Sequence, residues 1–337
     1  MADNQRVQDG ITNHSRSNHK LAALIHNKKF SLVLRIVLTA AFFAIVNKSI
    51  SVSDIRVLSG DIEIPVLLAV LFSGVAGLYF QVLRWKEVLK SVKLPHDGVI
   101  PIKTLLWGNF LGFLTPGRVG ELFRGMSIDT TRKTDSFIAT LIDRFYAILM
   151  VLLFSFPCII IQLLYCRVSL HSIEWISIIV LVTVIILFFI FLKYDFFSSV
   201  ISRIRLDKIL KAIRQTLTPG ILFLSILAHT CLLLQTVLLL QMFGSAGWLK
   251  NTMIAGLAYM QILFLPISIA NVGIREYSFG LYLKLSGIDT GARAIAFGVS
   301  GAILFFNILL PAFAGLAWFF FDKKRTEKIK QQVVAKS

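Results

Sequence analysis

The chain has 337 residues, 56% of them hydrophobic, and a formal net charge of +17, with a mean hydropathy of +0.77. Soluble domains sit near about 45–50% apolar even when glycine is counted, so this composition excludes a soluble fold and defines an all-α polytopic membrane protein. The basic excess has no nucleic-acid motif beside it and is read as the charge that orients membrane helices, so no nucleic-acid partner is expected.

Residues 1–29 are polar and are expected to form a cytoplasmic tail. The apolar stretch that follows, 30–46, lacks a small-x-small cleavage pattern and reads as a retained helix rather than a removable signal peptide. Further apolar stretches occupy 64–83, 136–165, 175–192, 219–243, 251–270 and 294–321, against the roughly 20 residues a crossing helix needs. Residues 322–337 form a basic tail, which leaves 30–321 as a single transmembrane domain. Cys158, Cys166 and Cys231 lie in or beside apolar stretches without metal spacing, and the six His are scattered without paired ligands, so neither metal nor cofactor is expected. His229 reads as a hydrogen-bonded core histidine.

Lys and Arg are dense in 1–29 (five), 84–103 (five), 117–135 (four), 193–218 (six) and 322–337 (six). They are sparse in 47–63 (two), 166–174 (one), 244–250 (one) and 285–291 (none). The positive-inside rule places the rich set, with both termini, in the cytoplasm, and the protein in a plasma membrane of bacterial type. Both flanks of 104–116 are then cytoplasmic, and the apolar piece between them is short and interrupted by Gly108 and Gly112. Residues 101–130 are therefore expected to form a re-entrant hairpin turning at Thr115-Pro116-Gly117. The same parity predicts a second hairpin, with 251–270 as its first arm, a break at Pro266 and a return through 266–285.

The order helix 30, helix 64, motif at Gly120, helix 136 is repeated as helix 175, helix 219, motif at Gly273, helix 294. With opposite insertion of the halves, about 30–165 and 175–321, this predicts an inverted-topology repeat of about six full spans plus two re-entrant hairpins, or alternatively eight apolar helical segments. Charges concentrate at the breaks: Arg118, Glu121 and Arg124 at the first, Arg275 and Glu276 at the second. Broken backbone at membrane depth survives only within protein or beside a wet cavity, so these charges are expected to line a polar chamber. Their guanidinium groups suit phosphate, with Glu121 and Glu276 holding them in place or taking up a proton. Glu121 and Arg124 are spaced to share a helix face. Asp143 and Arg144, neighbours on one helix, are expected to serve different partners. Arg84 beside Trp85 is a candidate headgroup contact, with an interfacial anchor the favoured alternative. Asn109 and Asn271, like Gln261 and Asn307, are candidates to line the chamber or to pair helices.

At "GNFLGFLTPGRVGELFRG" (108–125), "LIDRF" (141–145) and "LPISIANVGIRE" (265–276), the sequence resembles the lysylphosphatidylglycerol synthase transmembrane region, or flippase-like integral membrane family, over about residues 25–322. The second hairpin departs from the family's glycine-rich turn by carrying Ile269-Ala270-Asn271. The resemblance implies the translocating part of such proteins without an aminoacyl-attaching domain, and hence a transporter rather than an enzyme. The expected function is movement between leaflets of a phospholipid or polyprenyl-phosphate-linked headgroup. Envelope-glycan or lipid-modifying enzymes are possible partners. A membrane glycosyltransferase using Asp54, Asp61 and Glu63 is the enzymatic alternative, and an accessory subunit of an envelope-assembly complex a third. No P-loop is present, so no ATP-driven cycle is expected.

Overall fold

A computed structural model describes residues 63–115, 118–128, 130–163, 179, 183, 207–244, 247–265 and 270–318. All of them belong to one compact unit, Val52–Ser337. The expected helices at 30–46 and, but for two residues, 175–192 lie outside the described residues, as do Pro116, Gly117, Pro266, Cys166, Asp54, Asp61 and both tails.

Helix α1 (Ile64–Ser91) starts with Pro65 in its first turn, where the missing N–H has no intrahelical acceptor to lose. It runs on past the apolar stretch 64–83, so Arg84 and Trp85 fall inside the helix and not at its end. After it come α2 (Ile100–Phe113), a 3-10 helix (Val119–Ser127) and α3 (Lys133–Ile161). The short α4 (Asp207–Thr216) leads into α5 (Pro219–Met242), whose first turn is capped by the Thr218 hydroxyl accepting from the Ile221 N–H at 3.3 Å. Then follow α6 (Trp248–Phe264), α7 (Ile274–Leu285) and α8 (Ala292–Leu304), which continues through a π-helical turn at Phe305–Leu309 as far as Trp318.

Among the described residues four helices are long and apolar enough to cross a membrane: α1, α3, α5 and the continuous 292–318 segment. The 14 residues of α2 and 17 of α6 reach about 21 and 26 Å at 1.5 Å per residue, short of a hydrocarbon core of about 30 Å. The stretch 251–270 thus does not form one long helix; α6 stops at Phe264.

Each short helix folds back on the segment that follows it. In the first hairpin the returning arm is 3-10, not α-helical, and the two arms touch at backbone distance. A Cβ at Gly108 would lie 2.7 Å from the Cβ of Arg124; one at Gly112 would lie 2.9 Å from the Glu121 carboxylate. One at Gly120 would run into the Leu111 carbonyl. Arg124 lies at Gly108 and Glu121 at Gly112, so the arms run antiparallel. The two ends of this hairpin meet, because Arg132, just before α3, donates to the carbonyls of Lys93 (3.0 Å) and Val92 (3.3 Å), just after α1. The second hairpin closes the same way: Lys250 at the start of α6 donates to the Ser286 carbonyl at the end of α7, 3.4 Å away.

Helices α1 and α5 pack closely through glycines. A Cβ at Gly74 would meet Gln235, and one at Gly77 would meet Cys231 and the Ala228 carbonyl. Here too the numbers run in opposite senses, so α1 and α5 are antiparallel. The first hairpin follows the C-terminal end of α1 and the second the C-terminal end of α5, so they open at opposite ends of that pair. Neighbour relations recur between the halves: α2 on the 3-10 arm and α6 on α7, the 3-10 arm on α3 and α7 on α8, α1 on α2 and α5 on α6.

Polarity runs inside out. Ile64, Phe72, Val75 and Phe313 are exposed, whereas Glu121, Arg124, Asp143 and Gln261 are buried. Such a chain fits hydrocarbon as its solvent, where apolar surface is no penalty and charge must be enclosed.

Candidate functional site

The first hairpin brings two carboxylates and four arginines together from three elements. Asp143 on α3 receives Arg84 of α1 through two bonds, Nε at 2.8 Å and a terminal nitrogen at 3.1 Å, and forms an ion pair with Arg124 of the 3-10 arm. The Arg124 guanidinium lies over the Trp85 ring, 4.1 Å from its centroid, and Trp85 Nε1 donates to Thr104 Oγ1 at 2.8 Å. A cation on an indole face gains attraction without a second anion. This inner triad is sealed, with side-chain exposures of 6% for Arg84, 1% for Arg124 and 0% for Asp143.

One turn nearer the hairpin tip a second triad repeats the pattern. Glu121 forms ion pairs with Arg118 and with Arg144, the residue beside Asp143 on α3. Arg118 stands in the left-handed region at φ 59° and donates to Asn109 Oδ1 of α2 at 3.0 Å. Here the arginines are open, 27% and 29% exposed, while their carboxylate is 1% exposed. The spacing reason is plain: Glu121 and Arg124 both face α2, over Gly112 and Gly108, where a larger residue would leave no room for their stems. The glycines are what admit the charges.

The second hairpin is built differently. Arg275 donates to the carbonyls of Ala270 (2.7 Å) and Ser300 (3.3 Å), and Glu276 accepts from the Gly273 N–H and the Ser300 hydroxyl (2.7 Å). Glu276 therefore caps α7 and fastens it to α8. Ala270 and Asn271 stand in the left-handed region at φ 51° and 59°, ahead of Gly273 at φ 88°, and the Arg275 bond to the Ala270 carbonyl holds the turn there.

Several expectations change. Arg84 is a buried partner of Asp143, not an interfacial anchor. Asp143 and Arg144 do take different partners. Asn307 pairs α8 to α5 through Gln235 at 2.7 Å, whereas the Gln261 side-chain amide and the Asn271 side-chain oxygen Oδ1 are buried without a hydrogen-bond partner. His229 packs between Phe154 and Tyr259. Arg84, Arg124 and Asp143 are enclosed by protein, whereas Arg118 and Arg144 keep outward access. Glu63 is exposed at the start of α1. Sequence reasoning missed Trp85 and Thr104 as parts of the network, since nothing but tertiary contact distinguishes them from ordinary helix residues. Among the described residues no group of His, Cys, Asp and Glu could hold a metal ion.

An apolar-surfaced helical bundle with enclosed ion triads beside broken helices is a multi-pass membrane protein. The chain belongs to the family described as the lysylphosphatidylglycerol synthase TM region, whose sequence profile matches residues 32–315. That membership ties it to membrane lipid metabolism or transport. No curated protein and no solved structure matches the chain.

Proposed function

We propose that the protein is a lipid transporter of flippase type, which moves a phosphate-bearing lipid headgroup between leaflets while the tails stay in the bilayer. The observation that carries this reading is the outer triad. It holds two half-open arginines around one buried carboxylate, at the tip of a hairpin too short to cross. One positive charge is left over there, in a protein whose outer surface is apolar. A surplus charge facing apolar surroundings calls for a counter-ion, and planar guanidinium groups match the oxygens of a phosphate.

The architecture supports the same reading. Hairpins that open at opposite ends of an antiparallel α1/α5 pair, with neighbours that recur, are what an inverted-topology repeat produces, and such repeats place the cargo site where interrupted segments approach each other. Motion of one half against the other around the close α1/α5 contact would expose the site to each leaflet in turn.

The test is reconstitution in vesicles and measurement of labelled phospholipid reaching the opposite leaflet. Wild type is expected to move the lipid. Arg118→Ala and Arg144→Ala are expected to lose most of that activity while remaining folded. Equal movement by wild type and both variants would refute the role of the triad.

A further inference from the structure

Helix α8 reaches both hairpins, and its hydrogen-bond ladder changes between the two contacts. Its first part is fastened to the second hairpin. The Ser300 hydroxyl donates to Glu276 at 2.7 Å, the Ser300 carbonyl accepts from Arg275 at 3.3 Å, and a Cβ at Gly280 would lie 3.7 Å from that of Ala296. Its last part lies on the first hairpin, where a Cβ at Gly315 would run into the Leu106 carbonyl of α2. Between these contacts the Leu310 N–H donates to the Phe305 carbonyl, five residues back, in the π-helical turn Phe305–Leu309. Asn307, in the middle of that turn, donates to Gln235 of α5 at 2.7 Å.

A π turn holds one residue more than the α turn it replaces. When such a turn goes over to α, the part beyond it advances by one residue, about 100° of rotation and about 1.5 Å of rise. Each residue then takes the place of the next. Ala314 would come to where Gly315 stands, and its methyl group would meet the Leu106 carbonyl, so α2 must move away. Asn307 turns off Gln235 in the same step. Two features ease the change. Pro311 has no N–H, so the ladder already lacks a bond just beyond the turn. Residues 310–318 (LPAFAGLAW) are apolar throughout, so any side of them suits lipid.

Coupling between separated sites needs an element with two discrete arrangements. We propose that the Phe305–Leu309 turn is a register switch in α8, which passes between π and α forms and so ties the position of α2 in the first hairpin to the second hairpin. In the π form Gly315 admits α2; in the α form Ala314 excludes it. The part of the switch in moving cargo rests on the transporter reading, whereas the switch itself is a matter of conformation alone.

The experiment is spin-label distance measurement on the full-length protein in phosphatidylglycerol nanodiscs, with labels at Val99→Cys and Phe313→Cys and the native cysteines replaced by alanine. Val99 precedes α2, Phe313 lies on the last part of α8, and both are exposed. The otherwise wild-type protein is expected to show two distances. Deletion of Phe305, an exposed residue of the turn, removes the extra residue and leaves both flanking faces where they are. It is expected to keep one of the two distances and, in vesicles, to move labelled lipid at least about tenfold more slowly. Asn307→Leu loses the bond made in the π form and is expected to shift the ratio of the two populations about fivefold.

A single distance in the otherwise wild-type protein, or two in the deletion variant, would overturn the switch and leave the transporter reading standing. Should the deletion variant fail to fold, an unchanged ratio in Asn307→Leu would overturn the switch. Lipid movement by the deletion variant at the wild-type rate would overturn its part in transport. Two distances in a protein that moves no lipid would overturn the transporter reading and leave the switch standing.

Discussion

Replacing Asp143 with Asn tests whether the inner triad is the keystone of the first hairpin. The substitution keeps size and shape and removes the negative charge that Arg84 grips through two bonds and Arg124 through an ion pair. Both arginines are nearly sealed, at 6% and 1% side-chain exposure, so water cannot take over from the lost carboxylate. Breaking a buried pair in this way costs about 3–5 kcal/mol, because the remaining charge stays desolvated. With two guanidinium groups stranded, the loss should fall at the upper end. At about 2 °C per kcal/mol, the low end of the usual proportion and the one suited to a long chain, the unfolding midpoint should fall by roughly 10 °C. The assay is thermal unfolding of purified protein in one detergent, followed by tryptophan fluorescence, for which Trp85 under Arg124 is a local reporter. Arg118→Gln, which leaves the buried Glu121 carboxylate its second partner Arg144, is the control and should lower stability by less than Asp143→Asn. An Asp143→Asn midpoint equal to that of wild type would refute the reasoning, since it would mean that water reaches the triad or that the arginines have other anions.

Three further outcomes follow from the packing. Gly120→Ala drives a methyl group into the Leu111 carbonyl, where backbone cannot yield cheaply, and should destabilise by about 1–3 kcal/mol. Gly301→Ala has nothing within 4 Å of the new methyl and should be neutral or stabilising by up to about 1 kcal/mol; equal effects of the two in thermal unfolding would contradict the close approach of the hairpin arms. Ala270→Gly should raise the unfolding midpoint, since φ 51° strains alanine and not glycine by about 1–2 kcal/mol, and a lower midpoint would show that the turn is not left-handed. Single cysteines at Asp97 and Thr134, at the mouth of the first hairpin, should react with an impermeant reagent from one side of the membrane, and a cysteine at Asp289, at the mouth of the second, from the other. Labelling of Asp97→Cys and Thr134→Cys from opposite sides would mean that the first hairpin crosses.

Much of the site was legible before any coordinates. The glycines and charges of 108–125 stood out because hydrocarbon tolerates neither without a reason. The structure supplies that reason in paired form: Gly108 beneath Arg124 and Gly112 beneath Glu121. What the sequence could not show was how the charges pair. Asp143 lies 59 residues from Arg84, and no periodicity links them; only the packing of α1 against α3 does. The same holds for Glu276, whose neighbour Arg275 looked like its partner until the helix start at Gly273 claimed the carboxylate. Adjacent residues on a helix diverge by about 100°, so sequence proximity is poor evidence of an ion pair.

By itself the sequence determined the solvent of this protein, the number of its apolar stretches and the places where they break. Those follow from local quantities, hydrophobicity summed over about 20 residues and the cost of charge or glycine within it. The tertiary structure alone decided that the returning arm of the first hairpin is 3-10, that Arg84 is buried and that one triad is sealed while the other is half open. Burial and pairing depend on which helices meet and how closely, and the close approaches at Gly74, Gly77, Gly108 and Gly112 set both.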